Sequence, residues 1–209
     1  MWALVKDNKV LEVIERPRMF VDINGYTRFK SVFNLWPNSD LKQIGVYPLE
    51  IVDTSPSKFH KFSGFTYTIG EDKVTKTVEY QEIALENAKE LARDMLNVWK
   101  QRKQDGTFEW YGFNWQCDPR SRGFITGRAL EAFMTLSLGQ QFEVIFRDAD
   151  NTDHTFDAQQ MIDLGKAAAE HVQHWHDEAK STKDQVANAA SVSAIIDLLP
   201  EDIDSSNAW

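Results

Sequence analysis

The sequence predicts an α+β protein: a small antiparallel β-rich unit, a connecting helix, and a second unit of short strands and a long helix. Three observations support this fold class. Residues 1–81 contain short runs of β-forming residues separated by turn residues. Residues 82–104 then repeat apolar side chains every three or four positions, which is the spacing of one helix face. The same spacing returns after Asp157 and continues to about residue 190.

These patterns divide the chain into four predicted parts, whose boundaries follow the changes in spacing. They are an antiparallel β-rich domain over 1–81, a connecting helix over 82–106, an α+β domain over 107–190 and an acidic tail over 191–209. The charge supports the distinction, because residues 148–209 contain thirteen acidic residues and three lysines, within a chain of net charge −9. An acidic surface repels phosphate, so we expect no nucleic-acid partner.

The first domain is predicted to begin with a hairpin. Ala3–Val5 and Val10–Ile14 flank the polar turn Lys6–Lys9, whose Asp and Asn tolerate left-handed backbone conformations. A second hairpin joins Lys61–Ile69 to Lys73–Tyr80. Shorter strands are expected at Phe20–Ile23, Thr27–Val32 and Gly45–Val52. The sequence therefore indicates a small antiparallel assembly.

The connecting helix and the second domain have clear boundary signals. Acidic residues near position 82 and basic residues near position 103 suit the helix dipole. An aromatic strand, Thr107–Trp115, follows, and then Asp118 before Pro119 marks the start of another helix. A hairpin is predicted around Asp148–Asp153. These signals indicate strands, one helix and a hairpin before the long helix.

The long helix after Asp157 carries a heptad-like row of apolar and small residues. Its members are Met161, Gly165, Ala168, Val172, Trp175, Ala179, Thr182 and Val186. The small residues allow another helix to approach closely. That helix is either the 82–104 helix or one from a second copy, and the sequence leaves both open.

Sites for chemistry are weak throughout the sequence. His171, His174 and His176 do not converge on one ion, because His176 points about 160° away from His174 on a helix. The run from Asp148 resembles a calcium loop, but it has Asp153 where the sharp turn needs glycine. Cys117 lacks a neighbouring base in the sequence. We therefore predict no enzyme activity, no metal and no cofactor, with an enzyme using Cys117 or the histidines as a minor alternative.

Nucleic-acid and membrane binding are also disfavoured. Proteins that bind single-stranded nucleic acid combine basic residues with aromatic residues that stack on the bases. This sequence places aromatic residues near Arg120, Arg122 and Arg128, but three arginines are too few to favour that function. No apolar run approaches the roughly 18 residues that a membrane span needs. The first residues become charged at Lys6, too early for a signal peptide. We expect a soluble, non-secreted protein.

A series of spaced motifs carries a family resemblance. They are Asp118-x-x-Ser121-x-x-x-Ile125-x-Gly127-x-x-Leu130, Phe142-x-Val144, Phe146-x-Asp148-Ala149-Asp150-Asn151, and Phe156-x-Ala158-x-Gln160-Met161-x-x-Leu164-Gly165. The stretch from about Phe113 to Ser191 thereby resembles a phage-encoded domain family of unknown function from the tail and tail-fibre region. Trp36-Pro37-x-x-Asp40-Leu41-x-x-Ile44-Gly45-Val46-Tyr47-Pro48 is similar to a segment often found ahead of that domain.

The resemblance implies a phage protein that works by protein–protein contact, with no catalytic residues to transfer. The leading interpretation is a structural protein of the tail or baseplate, an adaptor or fibre-associated subunit located in the virion and made in the host cytoplasm. Its partners are then other phage tail or fibre proteins, and self-association is open. The alternative is a tail-fibre assembly chaperone that is absent from the mature virion.

Candidate partner-binding residues lie on the long helix and near the C-terminus. They are Met161, Val172, Trp175, Ile195, Ile196, Leu198, Leu199 and Trp209. We also expect the last fifteen residues to lack structure without a partner, because the apolar patch there is short and the residues around it are acidic.

Overall fold

The computed structural model describes residues 1–54 and 57–203, and the chain divides into two units, Met1–Ile83 and Ala84–Trp209. The predicted α+β class is confirmed, with strands in the first unit and the long helices in the second. The helix predicted over 82–106 lies in the second unit.

The first unit is built mainly from hairpins. Its elements are β1 (Trp2–Lys6), β2 (Lys9–Ile14), β3 (Phe20–Val21), β4 (Thr27–Arg28), α1 (Val32–Leu35), α2 (Asn38–Gln43), β5 (Val46–Val52), β6 (His60–Ile69) and β7 (Val74–Glu82). The main sheet has the order β2-β1-β5-β7-β6. Neighbouring strands run antiparallel except β5 and β7, which pair in parallel.

The hairpin at the start of the chain is confirmed, and so is the reason for its turn. Asp7 and Asn8 adopt φ angles of 51° and 57°, in the left-handed region that tight hairpin turns require. The turn joins β1 to β2, and Leu4 and Ile14 from these strands are buried in one apolar cluster.

The second unit contains three long helices and two hairpins. Its elements are α3 (Leu85–Gln104), β8 (Thr107–Trp110), β9 (Phe113–Gln116), α4 (Pro119–Ser137), β10 (Glu143–Arg147), β11 (Asp153–Asp157), α5 (Ala158–Asn188) and α6 (Val192–Leu198). Asp157 caps α5 through a reciprocal capping box with Gln160. The predicted start of the long helix is therefore confirmed.

The row of small residues on α5 contacts helices of its own unit. A Cβ atom added at Gly165 would lie 2.7 Å from the Cβ of Ala129, so α4 approaches α5 closely at this glycine. On the same helix Trp175 meets Trp99 of α3 edge to face, with ring centroids 5.4 Å apart. Of the two alternatives left open by the sequence, the 82–104 helix therefore is a partner of α5, and α4 is another.

The C-terminal segment is more ordered than the sequence suggested. Residues 192–198 form α6, and Ile195 is fully buried. Asp202 accepts a hydrogen bond from Trp99 Nε1 at 2.8 Å and pairs with Lys103 Nζ at 2.7 Å. The expectation that the last fifteen residues lack structure is wrong for residues 195–203, because buried apolar side chains and these bonds hold them. Residues 204–209 lie outside the part that the structure describes.

Crossing a membrane requires a helix that is both long and apolar. Within residues 1–54 and 57–203, no helix combines the length and the apolar character needed to cross a bilayer.

Candidate interaction surface on helix α4

The local sequence defines both ends of α4. Asp118 Oδ1 accepts the backbone N–H groups of Arg120 at 2.9 Å and Ser121 at 3.2 Å. Pro119 occupies the first helical position, where its missing N–H costs nothing. Beyond the helix Gly139 adopts a φ of 68°, a left-handed conformation that commonly ends helices.

The inner face of α4 is packed against α5 and the two hairpins. Ile125 and Ala132 are buried, and they belong to the main apolar cluster of the second unit. That cluster also contains Trp115, Met161 and Leu164. The inner face thus accounts for the folding of α4 onto its own unit.

Large apolar side chains of α4, together with that of Leu138 just after its last residue, are exposed to solvent in the described chain. We call these six residues the α4 surface: Phe124, Leu130, Phe133, Met134, Leu136 and Leu138. Each has between 48% and 71% of its area exposed. A helix with apolar residues on all sides is normally buried on all sides, because exposed apolar area is unfavourable in water. The α4 surface therefore has the composition of a contact surface.

Two glycines of α4 are also exposed. A Cβ atom at Gly123 or Gly127 would meet no heavy atom within 4 Å among the described residues. Glycine in a helix interior costs about 1 kcal/mol relative to alanine. Packing inside the unit does not explain this cost, since both positions face open space. A backbone that must be approached closely by another molecule would explain it.

A cleft of about 650 Å³ adjoins the α4 surface, between the first half of α4 and β10. Its lining combines apolar side chains with three arginines. The apolar members include Phe124, half exposed on the helix, and Ile145, which is 67% exposed on the strand. Phe124 therefore belongs both to the lining of the cleft and to the α4 surface.

The three arginines of the cleft have contacts within the chain. Arg147 Nε and its terminal nitrogen donate to the two carboxylate oxygens of Asp153, at 2.6 and 2.9 Å. Arg128 donates to Glu131 at 2.6 Å. The guanidinium of Arg120 lies 5.6 Å from the centroid of the Phe124 ring. Two of the three positive charges are therefore balanced by carboxylates, which weakens the case for a phosphate-binding cleft.

The Asp148–Asp153 loop is a polar hairpin turn, as the sequence analysis concluded. Asp148 Oδ1 accepts the backbone N–H groups of Asp150 and Thr152, and its Oδ2 accepts His154 Nε2–H at 2.8 Å. These bonds, led by that of His154, hold the pKa of the Asp148 carboxyl below its usual range. A fully bonded carboxylate is an element of structure, and it has little capacity left for a ligand.

Cys117 and His171 also have structural surroundings. Cys117 is fully buried, and burial raises the pKa of its thiol despite the nearby Arg122, so it stays protonated near neutral pH. His171 Nε2 donates to the Lys103 carbonyl at 3.0 Å, and burial lowers the pKa of its ring. Within the described ranges no group of three or more metal-ligating side chains comes together.

The partner-binding residues predicted from the sequence mostly contact their own unit. Met161 and Ile195 are fully buried and would reach a partner only if the unit opened. Val172 packs against the main apolar cluster and Trp175 against Trp99. Ile196, Leu198 and Leu199 are half-buried in and after α6, and Trp209 lies outside the described residues. Their role as binding residues stays a prediction.

The α4 surface was not predicted from the sequence, although a signal for it was present. The start of this helix was predicted from Asp118 and Pro119, but its faces were not distinguished. A helix of 19 residues needs about a third of its circumference for one apolar stripe. The apolar residues of α4 extend well beyond that width, so some of them must lie outside the stripe that the unit buries.

Comparison with known proteins places the second unit in a family. The family described as Domain of unknown function (DUF4376) matches residues 87–205, more than half of the chain. The match contains the whole stretch 113–191 that the sequence analysis compared with a domain family of unknown function. No curated protein and no solved structure matches the chain. The chain therefore belongs to the DUF4376 family.

Proposed function

We propose that this protein is a non-enzymatic contact protein whose α4 surface binds another protein. One observation carries the proposal. Among the described residues of the second unit, ten large apolar side chains are exposed, and seven of them lie between Phe124 and Ile145. Single exposed apolar residues are ordinary, whereas a concentration of them on one helix and its neighbouring strand is typical of protein–protein contact.

The setting that we propose is a phage tail or baseplate, where the protein acts as an adaptor or fibre-associated subunit of the virion. The support is the resemblance of residues 113–191 to a domain from phage tail-region proteins. The alternative is a fibre-assembly chaperone that uses the same surface to cover a fibre end before assembly and then leaves. The gene neighbourhood tests both roles. Tail or fibre genes next to this gene would support the two roles, and a neighbourhood without phage genes would contradict them.

Particle composition separates the two roles. A phage lacking this gene is complemented with the wild-type protein, and purified particles are examined by mass spectrometry. A virion subunit is found in mature particles at a fixed ratio to the other tail proteins. If fibres form normally with the gene deleted, the chaperone role is excluded, and absence from mature particles excludes the subunit role.

The site is tested with matched leucine variants in the same complementation. Leu130→Ser removes an apolar side chain from the α4 surface, and Leu35→Ser removes a leucine that is also exposed but lies on α1. We expect Leu130→Ser to reduce incorporation or fibre assembly strongly and Leu35→Ser to leave it unchanged. Equal behaviour of the two variants would remove the α4 surface from the proposal.

A further inference from the structure

The outer face of α4 contains a row of residues in alternating steps of four and three. These residues, the outer row, are Arg120, Phe124, Gly127, Glu131, Met134 and Leu138. All six are exposed. Alternating steps of four and three keep side chains on one line along a helix, and this is the spacing by which two helices pack together. Among the described residues, α5 packs on the opposite side of α4, where Gly165 approaches Ala129.

The outer row is self-complementary: residues at equal distances on either side of its centre have opposite charge or opposite size. Arg120 and Glu131 have opposite charge and share a midpoint between residues 125 and 126. Phe124 and Gly127, a large side chain and an absent one, have the same midpoint. When two copies of α4 pack antiparallel about a two-fold axis at this midpoint, Arg120 therefore faces Glu131 of the second copy. The Phe124 ring then lies over Gly127 of the second copy, and each contact occurs twice.

We propose that two copies of this chain associate through the outer row of α4, antiparallel and two-fold symmetric. This inference rests on the proposed contact function of the α4 surface and names its partner as a second copy. The two charge pairs lie about 16 Å apart along the helix axis, from a rise of 1.5 Å over eleven residues. They fix the direction and register of the pair, while the aromatic rings over glycine supply the close contact.

The contacts that these residues make within one copy are compatible with the pair. Glu131 already accepts a hydrogen bond from Arg128, but its side chain is 52% exposed, and a carboxylate accepts several donors. Arg120 is exposed, and its guanidinium lies 5.6 Å from the centroid of the exposed Phe124 ring. Gly127 has open space where a Cβ would be, so the second ring has room to approach the backbone.

Sedimentation velocity over a concentration series tests the inference. We expect the wild-type chain to show a monomer–dimer equilibrium. Arg120→Glu and Glu131→Arg should each raise the dissociation constant at least about tenfold, because each places like charges opposite one another. The double variant carrying both changes should return to within about threefold of wild type, because both pairs are restored with reversed sign. Arg93→Glu, an exposed change of the same charge on α3, is the control and should have no effect.

Glycine provides a second and independent variant. Gly127→Leu fills the space that the partner's Phe124 ring needs, so it should abolish the dimer while the monomer stays folded by circular dichroism. A wild-type chain that is monomeric at every concentration, or a charge-exchanged double variant that is no better than the single ones, overturns the inference. Should Leu130→Ser still reduce particle incorporation in that case, the contact function stands with a different partner. A dimer that follows these rules while Leu130→Ser behaves like Leu35→Ser in particles removes the tail contact and leaves the self-association.

Discussion

Helices α3 and α4 both pack against α5, yet their outer faces differ. Seven of the eight exposed positions of α3 are polar or charged, and Val98 is the exception. In α4 five large apolar side chains are exposed within a helix of similar length. The chain also covers part of α3 from outside, through α6 and the bonds from Asp202 to Trp99 and Lys103.

The difference shows which surfaces folding alone explains. The C-terminal segment of the chain packs on part of the outer side of α3, and the exposed residues of the helix are almost all polar. In α4 the chain buries the inner face and leaves large apolar side chains exposed elsewhere on the helix. An apolar face that the fold leaves open is costly in solution, so its presence indicates a contact made after folding. Substitutions on the two helices therefore have different expected effects on each face.

The inner faces should be equally important in the two helices. Leu96 of α3 and Ile125 of α4 are both almost fully buried. We expect Leu96→Ala and Ile125→Ala each to reduce the free energy of unfolding by about 2–5 kcal/mol, since each leaves a cavity in a packed core. Urea unfolding followed by circular dichroism measures this. A loss under about 1 kcal/mol for Ile125→Ala would contradict the packing of α4 described above.

Two glycines should respond to the same substitution with opposite sign. Gly165→Ala forces a Cβ to within 2.7 Å of the Ala129 Cβ, and we expect it to cost about 1–3 kcal/mol. Gly127→Ala places a Cβ in open space, so we expect about 0.5–1 kcal/mol of stabilisation from helix propensity. Unfolding is measured in dilute protein, where dimer does not contribute. Stabilisation by both substitutions would show that the α4–α5 contact is looser than we describe.

The covering of α3 should depend on pH through Asp202. Salt bridges and the Trp99 N–H hold the pKa of the Asp202 carboxyl below its usual range, with Lys103 as the main cause. Its contribution is therefore fully present above the ordinary aspartate pKa and is lost as the pH falls through the lowered value.

We expect Asp202→Asn to cost up to about 1 kcal/mol at neutral pH, because the pair is partly exposed. At acidic pH the wild type and the variant should converge. Amide hydrogen exchange of residues 192–203 at both pH values measures this. A difference between the two proteins that persists in acid would assign the effect to another group.

The smallest effect on stability is expected on the α4 surface. Leu130→Ser and Val98→Ser replace exposed side chains on α4 and α3, and both should change the free energy of unfolding by less than about 0.5 kcal/mol. Only Leu130→Ser should weaken association with a partner. Since stability is matched, a loss of binding in this variant cannot come from unfolding. A large loss of stability in Leu130→Ser would show that its side chain supports the fold instead.

Much of the fold was predictable because its signals are local. Asp118 and Asp157 cap the helices that they precede, and Asp7 and Asn8 form the first turn. Each of these depends on a few consecutive residues. The return of α6 onto α3 was not predictable, because it depends on Asp202 finding partners about a hundred positions earlier. The parallel pairing of β5 with β7 is long-range in the same sense.

Two turns with the same hydrogen bonds were not equally well predicted from the sequence. Asp22 in the first unit accepts the N–H groups of the residues two and four positions later, and its other oxygen accepts Arg28 Nε–H at 2.7 Å. Asp148 in the second unit makes the same bonds, with His154 in place of Arg28. Only the hairpin around Asp148 was recognised in the sequence. The shared spacing of aspartate with a donor six positions later was the signal for both.

The α4 surface was the part of the site that the sequence concealed. The spacing of apolar residues predicts which of them share one face of a helix. It does not predict which of two apolar faces the chain will cover. The candidates on α5 were chosen because their row is regular, and that regularity reflects packing against α3 and α4. The functional signal was the excess of apolar residues on α4. It can be recognised only once the packing of α4 against α5 is known.

Methionine oxidation mapped by mass spectrometry shows whether α4 makes a contact outside its own unit. Met134 on the α4 surface and Met19 in the first unit have 57% and 60% of their area exposed, so both should oxidise readily in dilute protein. We expect Met134, and not Met19, to become protected in concentrated protein and in assembled particles. If Met134 stays as reactive as Met19 in both conditions, α4 makes no contact there, and the proposed contact function is wrong.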